Sequence, residues 1–258
     1  TWWFVGGDTH WRGGGQGSTI PRLYSSPVQI GSETYWSKCA GNYRFSFAIT
    51  NHGSSNDGQL WALGDNGAGV LGIGDETDIC SPVQVGSLET WSEIIVGTSS
   101  VVARRSDNAL FTWGYNNNGQ LGDGTTTAKC SPVQIGTTEW AYASMGYKNN
   151  VWAVKTDGTL WAWGLNDYGH LGLGDTTNYS SPVQIGSLTD WKVVAGPVYS
   201  GIAVKTDGTI WSCRRGSFGV LGHGNTTNLS SPAQIGSDTD WISVGNSQAW
   251  HVHGIRSA

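Results

Sequence analysis

The sequence predicts an all-β fold, a five-bladed β-propeller whose closing blade is shared by the N- and C-terminal strands. Three observations carry that prediction. The string Ser-Pro-Val-Gln-Ile-Gly recurs with small changes from Ser26, Ser81, Ser131, Ser181 and Ser231, at spacings of 55, 50, 50 and 50 residues. Short β-favouring runs separated by Gly and Asp fill each copy, and no stretch carries a 3.6-residue period. The 258 residues include 39 Gly and 15 Trp, while charged residues make up only 13%, about half of the usual ~25%.

Composition also excludes several classes. Few charges with many aromatics rule out intrinsic disorder. No apolar run approaches the ~20 residues of a transmembrane helix, and Thr1 opens without a basic or apolar leader, so neither membrane insertion nor a signal peptide is expected. A net charge of −5 with 14 basic residues gives no electrostatic footprint for nucleic acid.

The repeats divide the chain, read as one domain over 1–258, into copies at about 1–59, 60–109, 110–159, 160–209 and 210–258. Trp2–Gly6 matches the Leu160–Gly164 run without a strand before it. The first copy then departs most. It is three residues longer between Gly6 and Ser26, and Thr50–Gln59 replaces a tight turn. In the best copy, Thr156-Asp157-Gly158-Thr159 joins Val151–Lys155 to Leu160–Gly164, because a tight Asp-Gly turn needs positive φ. Gly169, Gly172 and Gly174 space a long loop. Pro182 opens a strand at Val183–Ile185, and Trp191–Ala195 is the fourth run. Four strands in ~50 residues match one propeller blade. At the other end, His251–Ile255 matches Ile202–Thr206 without a strand after it. Pairing the two ends removes two exposed edges.

The run Asp157–Asp175, Asp-Gly-Thr-Leu-Trp-Ala-Trp-Gly-Leu-Asn-Asp-Tyr-Gly-His-Leu-Gly-Leu-Gly-Asp, resembles the regulator of chromosome condensation repeat. The downstream Ser-Pro-Val-Gln and Trp191-Lys-Val-Val-Ala-Gly fit it as well. The resemblance covers nearly the whole chain and implies a β-propeller. The best-known members carry seven blades, against five copies here. A related plant photoreceptor senses light through tryptophans, but its Gly-Trp-Arg-His-Thr repeat is absent from this sequence.

Candidate chemistry is sparse. Cys80 and Cys130 occupy a position that is serine at Ser25, Ser180 and Ser230, and neither Cys39 nor Cys213 has a C-x-x-C partner. All four read as structural thiols. His251 and His253 alternate on one strand face but lack a third ligand, so no metal site is expected. The Gly-Leu-Gly-Asp type loops recur in each copy and so read as turns rather than phosphate or calcium cradles. No catalytic constellation or cofactor motif is present, and the chain reads as a non-enzyme. Eleven tryptophan-register positions, including Trp36, Trp91, Trp140, Trp191 and Trp241, read as packing. Trp2, Trp11, Trp152 and Trp250 fall outside the register.

Residues that break the repeat give the candidate partner surface. They are His10, Trp11, Arg12, Arg104, Tyr168, Arg214, Arg215 and Phe218, with the Asn51–Asp57 loop beside them. Arg and aromatic side chains are common interface anchors. The expected function is a non-enzymatic binding or assembly module. Low charge and a Gly, Thr, Ser and Asn surface, with tight Ser-Pro-Val-Gln-Ile-Gly repeats that resemble those of bacterial and phage members of the family, point to an extracellular component of a phage virion or bacterial cell surface that docks on a protein scaffold or receptor, with a glycan as the other ligand class. The resemblance implies two alternatives: an intracellular regulator of the GTPase-exchange type, and an enzyme inhibitor.

Overall fold

The computed structural model describes residues 2–4, 28–30, 35–42, 44–51, 57–87, 90–137, 139–146, 149–196, 200–214, 222–224, 229–245 and 253–257. Among them the secondary structure is β throughout, apart from one short 3-10 turn at Gly67–Gly69.

The strands form antiparallel sheets in chain order. β1 (Trp3–Phe4) pairs with β2 (Val28–Gln29). The first four-stranded sheet is β3 (Trp36–Gly41), β4 (Phe45–Thr50), β5 (Leu60–Gly64) and β6 (Ile79–Gln84). The second is β7 (Trp91–Val96), β8 (Ser100–Arg105), β9 (Leu110–Gly114) and β10 (Lys129–Ile135). The third is β11 (Trp140–Met145), β12 (Asn150–Lys155), β13 (Leu160–Gly164) and β14 (Tyr179–Gln184). The fourth is β15 (Trp191–Ala195), β16 (Ser200–Lys205), β17 (Ile210–Arg214) and β18 (Leu229–Gln234). Finally β19 (Trp241–Val244) pairs with β20 (Gly254–Arg256).

Each four-stranded sheet therefore begins at a register tryptophan and crosses a repeat boundary. Trp191–Ala195 opens the fourth sheet instead of completing the third. β1–β2 corresponds to the last two strands of a sheet and β19–β20 to the first two, the complementary halves that the repeat pattern predicts. The expected pairing of Trp2–Gly6 with His251–Ile255 falls partly on Val5, Gly6, His251 and Val252, outside the described residues.

Pro182 lies inside β14, where the pairing with β13 is irregular between Ala162 and Gly164. The strand is longer than the sequence suggests because it resumes on both sides of that irregularity. β14 ends the hydrogen-bonded order of its sheet, where a missing N–H is tolerated.

The chain packs as two compact units, Thr1–Tyr115 with Ala128–Gly136, and Asn116–Thr127 with Thr137–Ala258. In the first unit, Trp2 and Ile30 pack on Ala48 and Leu63. A larger core joins Phe45, Phe47 and Leu60 of the first sheet to Ile94, Val101 and Trp113 of the second. In the second unit, Trp152, Leu160 and Leu171 pack with Val194, Ala203 and Cys213. Val193, Ile202 and Ile210 continue that core to Val244.

Within each unit, the long loop that precedes an outer strand is fastened to the outer strands that follow in the chain. Three contacts repeat. A loop glycine N–H donates to a small residue of the next outer strand: Gly74 to Cys130 O at 2.7 Å, Gly124 to Ser180 O at 2.7 Å, and Gly174 to Ser230 O at 2.8 Å. A tryptophan indole donates back to the loop, Trp113 Nε1 to Val70 O at 2.8 Å and Trp163 Nε1 to Gln120 O at 3.1 Å. A second glycine admits that ring. A Cβ on Gly72 would stand 2.8 Å from Trp113 Nε1, and one on Gly122 would stand 2.6 Å from Trp163 Nε1. Both glycines have positive φ, so a side chain is excluded twice over. The recurring glycines are thus turn and packing elements, and Cys130 fills a serine's role in the same joint.

Candidate functional site

The long loops are built on one buried asparagine each. Asn66, Asn116 and Asn166 are fully buried. Each side-chain oxygen accepts from the N–H five residues on, Leu71, Leu121 and Leu171, at 2.8, 3.0 and 2.9 Å. Each Nδ2 donates back across the loop, to Asp75 O, Thr125 O and Asp175 O. Asp75, Asp123 and Asp175 in turn accept N–H bonds from the residue two ahead. In the third sheet, Asp175 Oδ2 also accepts the Tyr179 hydroxyl at 2.6 Å, which pushes the Tyr179 phenol up.

On this constant frame the tip residue varies: Ala68, Asn118 and Tyr168. Tyr168 is 49% exposed and lies over His170, with ring centroids 6.3 Å apart. The fourth loop carries Phe218 at that position, with Gly216 where the buried asparagine stands elsewhere.

The candidate surface residues divide between the two ends of their sheets. Tyr168 is at the loop end of the third sheet, and Arg214 closes β17 at the loop end of the fourth, paired with Ser200. His10, Trp11 and Arg12 lie in the β1–β2 connection, and Arg215 and Phe218 in the β17–β18 connection. All five are outside the described residues. Arg104 is at the opposite, hairpin end, as is the Asn51–Asp57 connection between β4 and β5. The structure describes only the ends of that connection, Asn51 and Asp57.

Arg104 has a structural explanation. It pairs across the ladder with Glu93, where the fourth sheet has the apolar pair Val193 and Val204. Its Nε and second guanidinium nitrogen donate to Glu93 Oε2 at 3.3 and 3.2 Å, and the remaining nitrogen donates to Asn108 Oδ1 at 2.9 Å. The acid and the base replace the two valines together.

Cys213, which stands where the third sheet has Trp163, also has a packing explanation. With no tryptophan at 213, the buried Trp152 of β12 takes over the joint, and its Nε1 donates to His170 O at 3.2 Å. The ring lies across Gly201, where any Cβ would strike it, and Gly172 faces both Cys213 Sγ and Trp152. Trp152, Gly201 and Cys213 thus form one packing unit.

A second recurring device was not read from the sequence. The residue paired with each register tryptophan is cationic in four of the five frames: Trp91–Arg105, Trp140–Lys155, Trp191–Lys205 and Trp241–Arg256. Lys155 Nζ lies 4.5 Å from the Trp161 ring centroid and 5.3 Å from that of Trp140. Lys205 Nζ lies 4.4 Å from Trp211 and 5.0 Å from Trp191. Carboxylates placed just before the tryptophans complete the clamp, Glu139 at 3.5 Å from Lys155 and Asp190 at 3.3 Å from Lys205. Asp240 holds Arg256 at 2.8 Å, which lowers the Asp240 carboxyl and raises the guanidinium. The signal was present in the sequence as Lys-Thr-Asp-Gly and as an acid before the tryptophan.

A shallow cleft of about 130 Å³ in the first unit is lined by Arg44, Asp65, Thr98, Ser99 and Tyr115 among others. Arg44 and Asp65 approach to 3.9 Å at its edge. Among the described residues no group of three or more His, Cys, Asp or Glu could hold a metal ion. None of the four cysteines forms a disulfide. No helix of the described residues is long and apolar enough to cross a membrane.

Comparison with known proteins agrees with this architecture. The Ultraviolet-B receptor UVR8 of Arabidopsis thaliana is 34% identical over 71 residues, 28% of this chain and 15% of that protein. Human WBSCR16 superposes with a TM-score of 0.71 at 19% identity, over 83% of this chain and 56% of that one. Prp20p of Saccharomyces cerevisiae superposes with a TM-score of 0.73 at 19% identity, over 92% of this chain and 60% of that one. The chain thus spans little more than half the length of these solved structures and about a seventh of the curated relative. The Regulator of chromosome condensation (RCC1) repeat matches residues 57–104, 107–151 and 157–199, over half of the sequence and including the three loop frames described above, and the chain belongs to that family of β-propellers.

Proposed function

We propose that the chain is a non-enzymatic protein-binding propeller that recognises its partner through the tips of the long loops. The observation that carries this reading is the constant hydrogen-bonded frame with a changing tip: Ala68, Asn118 and the half-exposed Tyr168. Loops held rigid while one residue varies are suited to recognition. Tyr168 and Phe218 supply aromatic contact area, and Arg214 and Arg215 supply planar donors beside them in sequence. His10, Trp11 and Arg12 occupy the corresponding connection of the β1–β2 pair. Arg104 is left out, because Glu93 and Asn108 engage its guanidinium.

A protein rather than a glycan partner is supported by Prp20p, whose binding to Gsp1p and histones has been characterised. A virion or cell-surface location is supported only by composition and by the resemblance of the repeats to bacterial and phage members of the family.

The test is affinity capture with the full chain as bait, comparing the parent with a Tyr168→Ala/Phe218→Ala double variant. The expected result is loss of a specific protein that the parent retains, with Tyr168→Ala alone, at an exposed position, changing stability by under ~0.5 kcal/mol, as for surface substitutions generally. A partner retained equally by the double variant, and lost on changing the hairpin end of the sheets, overturns the assignment.

A further inference from the structure

We propose that the cleft between the first and second sheets seats a tyrosine side chain of the partner protein, a reading that rests on recognition by the loop tips and names the group received at one of them. The cleft opens beside Ala68, the tip of the first loop frame. Its volume of about 130 Å³ suits a single side chain, since pockets for drug-sized ligands run to ~300–1,000 Å³. Phe45 and Val70, both buried, supply the apolar part of its lining. Arg44, Asp65, Thr98, Ser99 and Tyr115 supply the polar part.

The walls are cross-bonded. Asn42 Nδ2 donates to Gly97 O at 2.9 Å and to Thr98 O at 3.2 Å, which ties the β3–β4 turn to the β7–β8 turn. Asn42 Oδ1 accepts from Arg44 N and Phe45 N at 2.8 and 3.2 Å. Asp65 N donates to Arg44 O at 3.0 Å, and Tyr115 N to Ser99 O at 2.9 Å. Fixed walls lower the ordering cost of binding. The tip also stays small. Ala68 has φ 57, a left-handed backbone that the tip residues Asn118 and Tyr168 do not adopt. That conformation disfavours a bulky side chain, so the first frame does not fill the cleft from its own tip. In the third frame the chain supplies a ring itself. Tyr168 lies over His170, the residue that corresponds to Val70. A partner's ring over Val70 reproduces that contact from outside.

The polar lining sets the ligand class. Asp65 Oδ1 accepts the Gly67 N–H at 2.9 Å, while Oδ2 stands 3.9 Å from a terminal nitrogen of Arg44, beyond hydrogen-bond length. Both side chains are partly exposed. A hydroxyl placed between them donates to Asp65 Oδ2 and accepts from the guanidinium, the two roles that a phenol oxygen combines. An anionic ligand meets the Asp65 carboxylate and a cationic one meets the Arg44 guanidinium, so the mixed rim favours a neutral group. Serine and threonine carry the hydroxyl without a ring to cover Phe45 and Val70. Phenylalanine carries the ring without the hydroxyl. Tyrosine brings an apolar body and a polar tip together.

The test titrates the full chain with N-acetyl-tyrosinamide, N-acetyl-phenylalaninamide and N-acetyl-O-phosphotyrosinamide, and follows backbone amide resonances by NMR. The expected result is that the tyrosine probe shifts Gly67, Ala68, Thr98 and Ser99. The phenylalanine probe shifts the same amides with about fivefold weaker affinity, the scale of one net hydrogen bond, and the phosphotyrosine probe leaves them unmoved. Asp65→Asn keeps an acceptor for the Gly67 N–H. It brings the tyrosine probe down to the phenylalanine level while the phenylalanine probe binds as before, a split that a merely structural loss would not produce. Equal affinity for the tyrosine and phenylalanine probes in the parent, stronger binding of the phosphorylated probe, shifts spread over the chain, or unchanged selectivity in Asp65→Asn overturns the proposal. Affinity capture separates this site from the reading it rests on. A partner lost with Tyr168→Ala/Phe218→Ala but retained by Asp65→Asn overturns the cleft assignment alone. A partner lost with Asp65→Asn but retained by the tip double variant supports the cleft and overturns only the assignment to Tyr168 and Phe218.

Discussion

The third sheet meets the loop before it through its own Trp163, whereas the fourth sheet has Cys213 at that position and no tryptophan to offer. The two joints otherwise match. Gly122 and Gly172 both turn with positive φ, and Gly124 and Gly174 both donate to the next outer strand. What differs is which strand supplies the indole. At the first joint it comes from β13 of the following sheet, and at the second from β12 of the preceding one, through Trp152. Gly201 clears the floor for that ring where Val101 and Val151 stand in the second and third sheets. The same carbonyl position is capped in both cases. A position that breaks the repeat is therefore not by itself a functional residue. Three departures can cancel one another in packing, as Glu93 and Arg104 cancel in charge.

The comparison breaks most directly at Trp152. Its register mate in the second sheet is Val102, which plays no part in a joint. Trp152→Ala is expected to cost ~3–5 kcal/mol, the usual range for a deleted buried aromatic, while Val102→Ala costs about 2 kcal/mol from two lost methyl groups. Urea denaturation measures both. Equal losses would mean that Trp152 is ordinary core and that the second joint is held by something else.

Coupling sharpens the point. Gly201→Val alone forces a branched side chain into the Trp152 ring and should destabilise by ~1–3 kcal/mol, as overpacked cores do. Cys213→Trp alone competes with Trp152 for the same space. Trp152→Val, Gly201→Val and Cys213→Trp together rebuild the joint seen at Trp163. The triple variant should recover most of the loss, with a coupling of ~0.5–3 kcal/mol. Strict additivity over the full set of variants would show that the three residues do not form one unit.

The same residues show how far the sequence could be read. Identical Ala-Val-Lys-Thr-Asp-Gly-Thr segments and the five tryptophans give the strands and turns directly, because local propensity and repetition agree. The joints are harder to read. Trp152 falls outside the tryptophan register, and its relation to Gly201 and Cys213 exists only once β12, β16 and β17 are brought together. The cation clamps were legible in principle, since Lys155 and Lys205 recur one residue before the turn, but a basic residue near a hairpin reads as solvated surface until its strand partner is known. The loop tips stand out in sequence as variable positions, while the buried asparagines that hold them read as ordinary loop polarity.

A smaller effect separates charge compensation from recognition. Glu93 and Arg104 are about one-fifth exposed, so screening limits the pair to ~0.2–1 kcal/mol. Arg104→Val alone leaves Glu93 without its base and loses most of that amount. Glu93→Val with Arg104→Val reproduces the fourth sheet and should fall close to the parent. A double-mutant cycle by thermal denaturation reads the coupling. If the double variant is as unstable as Arg104→Val, the two positions are not compensating.

The smallest expected effect lies in the turns that flank the irregular joint, and it is an expected equality. Asp157 and Asp207 belong to identical segments, one in each sheet. Thr159 donates its hydroxyl to Asp157 at 2.6 Å and its N–H at 2.9 Å. Thr209 makes the same two bonds to Asp207 at 2.7 and 2.9 Å. These bonds favour the ionised form, so both carboxyls are lowered below 3.8. The hydroxyl bond leads for Asp157 and the N–H bond for Asp207. A carboxyl depressed by folding adds stability above its unfolded value, and that stability is lost as pH falls through the folded value. Both turns should therefore weaken together only below about pH 4, near the unperturbed carboxylate value. The groups are solvent-exposed, so water screens the contribution and it stays a fraction of the Trp152 effect. Carboxyl carbon shifts followed by NMR against pH should give two superimposable curves. Thr159→Val should raise the midpoint of Asp157 alone, and it also takes the acceptor from Trp161 Nε1. Parent curves that differ would mean that the swapped joint distorts the fourth sheet as far as its hairpin, and that the compensation by Trp152 is incomplete.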